Sequence, residues 1–92
     1  MNSNKNWRLR IRQKIYKVLN KFPEKDRVRL VKVIEELPFN PYAGDIEKMK
    51  DEENTWRRRL GAYRIFYEIH PLERVIYVFR VERRTSKTYK KR

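Results

Sequence analysis

Arginines are the residues of this chain whose type and spacing could support chemistry. The stretch Thr55 to Tyr67 reads TWRRRLGAYRIFY and contains four arginines, and Arg83 and Arg84 follow later. A guanidinium group stays charged at any working pH and presents paired donors that match phosphate oxygens. Several such groups around one phosphate would stabilise the negative charge that develops when phosphorus becomes five-coordinate. Such a site could cleave RNA with the RNA's own 2′-OH as the nucleophile.

Other kinds of catalytic site have few suitable residues. A metal site needs clustered His, Cys or carboxylate ligands, and the chain has a single histidine, His70, and no cysteine. A Ser/His/Asp arrangement would have to combine His70 with Ser3 or Ser86, whose spacing does not suggest one. The only glycines are Gly44 and Gly61, so there is no glycine-rich phosphate loop. We therefore expect neither a metal ion nor another cofactor.

The charge balance points to a polyanionic partner. Twenty-five Lys plus Arg against twelve Asp plus Glu leave a formal charge of +13 at pH 7. Such a surplus destabilises the fold by self-repulsion and normally accompanies binding to nucleic acid, an anionic membrane or an acidic protein. No apolar run exceeds a few residues, so a membrane partner is not expected. A small-molecule substrate is not expected either. The lack of cysteine fits a cytoplasmic protein.

Hydrophobic periodicity predicts one domain over residues 1–92, with residues 1–6 and 90–92 flexible. Residues 7–12 alternate, which places Trp7, Leu9 and Ile11 towards a core and the intervening arginines towards water. A first helix is predicted up to about Lys21, and a second has Pro23 at its first position and stops at Pro38. The predicted buried stripe of the second helix consists of Val28, Leu30, Val31, Ile34 and Leu37.

Three further strands complete the predicted order β-α-α-β-β-β. Thr55–Leu60 pairs with Tyr63–His70 across a type II′ turn at Gly61-Ala62, whereas residues 46–53 are predicted to be a connector. Pro71 is predicted at the second position of the next turn. In the last strand, 74–82, one face should carry Val75, Tyr77, Phe79 and Val81, and the other Ile76, Val78 and Arg80. The fold class is α+β, with a helical hairpin packed on one face of a four-stranded, largely antiparallel sheet.

The same alternation predicts where the arginines point. Arg57 and Arg59 should share one face of their strand, with Arg58 on the other. We expect Arg57, Arg59, Arg64 and Arg83 to meet on the sheet face that the helices leave open. Two interpretations remain for these residues, since strands rich in arginine can bind backbone phosphate without cleaving it. Tyr89 is equally open as a stacking platform for a base, a proton donor or a surface tyrosine.

The run Trp56 to Tyr67, WRRRLGAYRIFY, resembles the Y-R-x-R-x-G-x-Y-R-I-x-Y core of the RelE/ParE toxin superfamily. The similarity extends over nearly the whole chain, including the opening strand, the helical hairpin closed by Leu37 and Pro38, and the final Val81 to Arg84. This resemblance implies the toxin half of a toxin–antitoxin pair, with an antitoxin protein as partner. RelE-type members cleave mRNA in the ribosomal decoding site and leave a cyclic phosphate, whereas ParE-type members poison DNA gyrase and lack the catalytic set.

Carried over by motif position, the resemblance implies a RelE-type catalytic set of Arg57, Arg59, Arg64, Arg83 and Tyr89. Further basic residues predicted to contact RNA are Arg58, Arg80, Arg84, Lys87 and Lys90. Arg57 and Arg59 stand where RelE-type sites usually have lysines, and an arginine is a poor general base because its guanidinium group stays protonated at any working pH. Proton removal from the 2′-OH would then fall to Tyr89, Lys87 or solvent. The leading hypothesis is a ribosome-dependent mRNA endonuclease; the alternatives are a ParE-type gyrase inhibitor and a non-catalytic RNA- or ribosome-binding module.

Overall fold

A computed structural model describes residues 7–84, which form two helices and one five-stranded sheet. The strand order across the sheet is β1-β5-β4-β3-β2, with β1 and β5 parallel and every other pair antiparallel. The α+β class, with both helices on one face of a largely antiparallel sheet, is confirmed. In chain order the elements are β1 Arg8–Ile11, α1 Lys14–Asn20, α2 Glu24–Glu36, β2 Ile46–Lys48, β3 Thr55–Leu60, β4 Tyr63–His70 and β5 Val75–Arg83.

The predicted number of four strands is wrong, because β2 forms within the segment predicted to be a connector. Ile46 pairs with Arg58 and Lys48 pairs with Trp56, so β2 becomes the edge strand beside β3. Three residues are too few to establish an alternating pattern. Only the pairing with β3 makes this segment a strand.

The helices begin and end close to the predicted positions. Pro23 occupies the N-cap position of α2 and not its first helical position, with φ −55° and ψ 146°. Leu37 caps the other end of α2, directly before Pro38. The prediction that Val28 is buried is wrong, since its side chain is 59% exposed. Val28 precedes the buried Leu30 by two residues, or about 200° around the helix, and therefore lies on the opposite side.

The core lies between the helices and one face of the sheet. Trp7, Leu9 and Ile11 of the first strand segment are partly buried against it, as predicted. β5 lies between β1 and β4, so it carries apolar residues on both faces. The most deeply buried side chains come from both helices and from β4 and β5: Ile15, Leu30, Ile34, Leu37, Ile65, Tyr67, Ile69, Ile76 and Val78.

The two hairpin turns differ in how well the sequence predicted them. Gly61 has φ +60° while Ala62 keeps a negative φ, which is the pattern of the predicted type II′ turn. In the next turn the Arg74 N–H donates to the Pro71 carbonyl, 3.2 Å away, so Pro71 takes the first position and not the second. Arg74 closes this turn with φ 59°.

A β-bulge interrupts the pairing of β4 with β5. Phe66 pairs with Arg80 and Tyr67 pairs with Val78, so Phe79 is an extra residue on β5. An extra residue reverses the alternation of side chains after it. Val81 therefore returns to the helix side, where its side chain is 5% exposed, and its predicted position beside Tyr77 and Phe79 is wrong.

Candidate nucleic-acid interface

The sheet face opposite the helices, called here the open face, carries four arginines in its middle. Residues directly opposite each other in an antiparallel pair point to the same side. Arg57 is opposite Phe66, and Arg59 is opposite Arg64. Phe66 is in turn opposite Arg80. The prediction that Arg57, Arg59 and Arg64 share a face is therefore confirmed, and Arg80 joins them.

Each of these arginines lies near a carboxylate. Arg57 forms an ion pair with Glu47, and Arg59 Nε is 3.5 Å from Asp45 Oδ2. The Glu47 and Asp45 side chains are 64% and 67% exposed, respectively. Exposed ion pairs contribute only about 0–1 kcal/mol, so an incoming anion can replace these two carboxylates at small cost.

Glu82 lies near two of these arginines. Its Oε1 accepts a hydrogen bond from Arg80 Nη2 at 2.8 Å, and its Oε2 lies 3.9 Å from Arg64 Nη1. The Arg64 side chain is 19% exposed, and its buried Nε has no hydrogen-bond partner among residues 7–84. A buried guanidinium N–H without an acceptor is costly. Because this Nε is closed off from solvent, an incoming anion has access to Arg64 only through the exposed part of its side chain.

Aromatic rings lie beside the arginines on the open face. The ring centroids of Phe66 and Phe79 are 6.3 Å apart, as are those of Phe79 and Tyr77. The Arg80 guanidinium carbon is 5.3 Å from the Phe66 centroid, which is within cation–π range. Guanidinium groups that contact phosphates and aromatic faces that stack on bases are the usual components of a single-stranded RNA surface.

Arg83 does not lie on the open face, contrary to the prediction. It pairs with Tyr63, and its guanidinium carbon lies 5.8 Å from the centroid of the Tyr63 ring on the helix side. Tyr63 in turn donates a hydrogen bond of 2.7 Å to Asp26 of α2. The bulge at Phe79 is the reason, because it reverses the direction of every later side chain in β5.

Arg58 also faces the helix side, as the alternation predicted. Its Nη1 donates to the Ala43 carbonyl at 3.3 Å, and its guanidinium packs against Gly44 in the loop before β2. Arg84 follows the end of β5, and its backbone N–H donates to the Ala62 carbonyl. Of the remaining predicted site residues, Lys87, Tyr89 and Lys90 lie outside the described residues.

Alternation predicts Phe66 on the same strand face as Arg64, but sequence reasoning did not single out Glu82, Phe66 or Phe79 as functional residues. Glu82 could have been found, because it follows Arg80 by two residues. Phe66 lies between Arg64 and Glu68 on one face of β4, so its two neighbours on that face are charged. Phe79 reaches this environment together with Arg80 only because of the bulge, for which the sequence carries no signal.

Within residues 7–84, no group of three His, Cys, Asp or Glu side chains could hold a metal ion. None of the helices in that range is long and apolar enough to cross a membrane. The histidine, His70, pairs through Nε2 with Glu68 Oε1 at 2.8 Å.

Residues 6–87 match the family described as ParE toxin of the type II toxin–antitoxin system parDE. The chain belongs to this family. It is therefore a toxin of a toxin–antitoxin system, and the superfamily resemblance read from the Trp56–Tyr67 run is confirmed. No curated protein matches it in sequence.

Solved RelE structures share the fold of this ParE-family toxin. A chain of the archaeal RelE–RelB complex from Pyrococcus horikoshii has a TM-score of 0.76 and 23% identity, over 88% of this chain and 98% of that one. A chain of the RelB–RelE complex from Methanococcus jannaschii has a TM-score of 0.69 and 28% identity, over 88% and 96%. The isolated E. coli RelE toxin has a TM-score of 0.73 and 21% identity, with 90% of each chain covered.

Proposed function

We propose that this toxin is a ribosome-dependent mRNA endonuclease. The observation that carries the proposal is the group of four arginines on the open face, Arg57, Arg59, Arg64 and Arg80, beside the aromatic rings of Phe66 and Phe79. Guanidinium groups on the same face of three neighbouring strands suit a phosphate whose charge increases in the transition state. The +13 charge of the whole chain suits docking to ribosomal RNA.

The proposed reaction is an internal transfer on the RNA. The 2′-oxygen forms a bond to phosphorus, the bond from phosphorus to the 5′-oxygen breaks, and the products are a 2′,3′-cyclic phosphate and a 5′-OH. Arg57, Arg59, Arg64 and Arg80 stabilise the five-coordinate intermediate. Tyr89, which the resemblance implies as a site residue, is proposed to stack on a base or to protonate the leaving 5′-oxygen.

Glu82 is our proposed acceptor for the 2′-OH proton. The open-face arginines cannot take that proton, because a guanidinium group stays protonated at any working pH. A carboxylate held by Arg80 and close to Arg64 is in reach of a phosphate that those arginines bind. The Glu82 carboxylate binds the proton while the 2′-oxygen attacks phosphorus, and it later returns this proton to solvent. Arg83, being on the other face, is proposed to position the end of β5 through Tyr63.

An antitoxin is the proposed protein partner. Similar folds occur in RelE–RelB complexes from Pyrococcus horikoshii and Methanococcus jannaschii. We propose that an antitoxin with acidic character covers basic surface of this toxin and so prevents RNA from binding. The antitoxin's carboxylates would compete with RNA phosphates for the same guanidinium groups.

Mapping mRNA ends on translating ribosomes tests the proposal. The wild-type protein should produce new ends with cyclic phosphates inside the decoding site, and Arg64→Ala should produce none above background. Lys32→Ala, on the exposed side of α2, is the matched control and should cleave like the wild type. Intact mRNA at saturating toxin would overturn the proposal.

A ParE-type gyrase inhibitor is the second candidate, and the family match itself favours it, since the matched family is described by ParE. A supercoiling assay separates the two functions. A gyrase inhibitor traps cleaved DNA in complex with gyrase and leaves mRNA intact, whereas the proposed endonuclease leaves supercoiling unchanged. RNA binding without cleavage in either assay would indicate a non-catalytic module.

A further inference from the structure

The first strand carries a second set of arginines at the edge of the sheet. These β1 arginines are Arg8, Arg10 and Arg12, which directly follows the strand, and all three residues are exposed. Within residues 7–84, β1 is the outermost strand on its side of the sheet. We propose that the β1 arginines bind backbone phosphates of the RNA segment that continues beyond the cleavage site. The inference rests on the proposed function for its ligand, single-stranded RNA, and adds a binding surface outside the arginines assigned to cleavage.

Strand pairing places this set on the open face. Arg10 is next to Tyr77 in the β1–β5 pair, and Tyr77 is opposite Glu68 in the β4–β5 pair. Paired neighbours point to the same side of a sheet, and Glu68 follows the open-face residue Phe66 by two positions. Arg8 precedes Arg10 by two positions and shares its side. The β1 arginines therefore extend the cationic surface of the open face to the edge of the sheet.

A cavity of about 480 Å³ connects the β1 arginines with the arginine group used for cleavage. Its lining includes Arg12 and Lys14, and also Phe79 and Arg80 of β5. It lies where β5 continues past the end of β1, and the Arg12 N–H donates to the Val78 carbonyl at 2.9 Å there. No acidic residue lines this cavity. An RNA strand held at Arg80 can therefore reach Arg12 over a surface that carries only positive charge.

The β1 arginines differ from the cleavage group in having no carboxylate partner. The four arginines assigned to cleavage each lie near a carboxylate. In the part of the chain that the structure describes, none of the β1 arginines forms an ion pair. Glu73 lines another cavity together with Arg10 but does not pair with it. Unpaired cations in one row repel each other, so their presence favours a polyanionic ligand.

The spacing of the β1 arginines suits an extended nucleic-acid backbone. Alternate residues of a strand are about 6.6 Å apart, which is similar to the separation of successive phosphates along a nucleic-acid strand. Each guanidinium can bind phosphate oxygens through paired donors. Contacts to phosphates carry no sequence information, so binding along β1 should not depend on the bases.

An acidic peptide is the other ligand that this spacing would fit, because carboxylates on an extended peptide recur at the same distance. Two observations favour RNA. The cavity at Arg12 makes the β1 arginines continuous with the proposed cleavage site. Tyr77 lies beside Arg10, where a base can stack on its ring while the guanidinium holds the phosphate.

Binding of RNAs of different length tests the proposal. A short RNA that covers the cleavage site is compared, by fluorescence anisotropy, with RNAs extended by three nucleotides at the 5′ or the 3′ end. In all of them 2′-deoxy nucleotides prevent cleavage. For wild-type toxin, extension at one of the two ends should tighten binding several-fold at low salt. The slope of log K against log salt should become steeper by about 2, since each of three phosphates adds about 0.7.

Two matched triple variants complete the design. Arg8→Gln/Arg10→Gln/Arg12→Gln should lose the gain from extension and the added slope. Lys21→Gln/Lys25→Gln/Lys32→Gln removes the same charge from exposed positions on the helices, and it should keep both. Thermal melting checks that the variants fold. Arg10→Gln alone should make the slope for the extended RNA shallower by about 0.7, and it serves if the triple arginine variant does not fold.

The outcomes separate this proposal from the endonuclease. No gain from extension, a gain that survives in the triple arginine variant, or one lost equally in the lysine variant would overturn the β1 site and leave the endonuclease intact. A poly-glutamate peptide that needs the β1 arginines for binding, when the extended RNA does not, would also overturn it. A gain that depends on the β1 arginines, in a protein that leaves mRNA whole on ribosomes, would support the β1 site and overturn the endonuclease.

Discussion

Arg64 Nη1 lies 3.9 Å from Glu82 Oε2 on the sheet face that the helices leave uncovered. The two residues are opposite each other in the β4–β5 pair, so the strands themselves fix their separation. The Glu82 carboxylate therefore lies beside the Arg64 guanidinium, in space that we assign to the RNA phosphate. It opposes phosphate binding by charge repulsion, and it is also the group that we propose as acceptor of the 2′-OH proton.

Replacing Glu82 by Gln should change binding and cleavage in opposite directions. The amide keeps the size of the side chain but loses the charge that repels phosphate, so RNA affinity should rise several-fold. It also cannot accept the 2′-OH proton, and loss of a general base lowers rates by about 100-fold or more. Filter binding and single-turnover cleavage on ribosomes measure the two effects, with Glu73→Gln in the exposed β4–β5 turn as control. Cleavage at the wild-type rate would remove Glu82 from the mechanism.

The open face and the helix side should respond differently to loss of an arginine. Arg64→Ala should reduce cleavage by about 100-fold or more, in the range seen when one transition-state donor is removed, with the melting temperature little changed. Arg83→Ala should affect cleavage less, because its guanidinium lies over Tyr63 on the other face, and it should lower stability slightly. Cleavage rates and thermal melts of both variants check this order. Equal losses of cleavage would show that Arg83 reaches the substrate.

The sequence predicted those parts of the fold that local patterns determine. Alternation in Trp7 to Ile11 and the glycine at Gly61 each have one structural solution, and both predictions are confirmed. The strand at Ile46 was missed because its pairing partner, and not its own pattern, makes it a strand. Arg83 was placed on the wrong face because the bulge at Phe79 depends on how β5 fits against β4. The acidic partners of the arginines were missed because most of them lie on other strands or in the loop before β2. Only the folded chain brings them next to the arginines.

RNA affinity should fall steeply with salt. Each phosphate contacted by a cation releases a condensed counterion, and the slope of log K against log salt for single strands is about −0.7 per phosphate. With four arginines on the open face, the slope should be about −3 if each contacts one phosphate. Anisotropy titrations over a range of KCl concentrations give this value. Arg59→Ala should make the slope shallower by about 0.7, whereas Lys32→Ala on α2 should leave it unchanged.

Gly44 and Arg58 should show measurable energetic coupling. Gly44 has φ +89°, and a Cβ built there would lie 2.4 Å from Arg58 Cζ. Gly44→Ala should lower the free energy of unfolding by about 2 kcal/mol or more, from backbone strain plus displacement of the Arg58 guanidinium. In an Arg58→Ala background only the strain of about 1–2 kcal/mol remains. Urea unfolding of the four proteins in this double-mutant cycle measures the difference. Strictly additive effects would show that the guanidinium does not pack on this loop.

The buried phenol of Tyr67 should make stability depend on pH in the alkaline range. Tyr67 is fully buried and donates a hydrogen bond of 2.9 Å to the Pro41 carbonyl. Burial raises the pKa of Tyr67 to about 12, from the ordinary value of 10.0. Below pH 10 both the folded and the unfolded chain hold the proton. Between pH 10 and 12 the unfolded chain releases it first, so the free energy of unfolding should fall by up to about 1.4 kcal/mol per pH unit.

Tyr67→Phe isolates this contribution, because every other titrating group is common to both proteins. At pH 8 the variant should be less stable by about 1–2 kcal/mol, since the Pro41 carbonyl loses its donor in a buried position. As the pH rises from 10 towards 12, the wild-type protein loses the advantage of its phenol and Tyr67→Phe does not, so the stability difference should shrink and close. Urea unfolding of both proteins at intervals from pH 8 to 11 follows the difference. A stability difference that stays constant across this range would mean that the phenol ionises equally readily in the folded and unfolded chains.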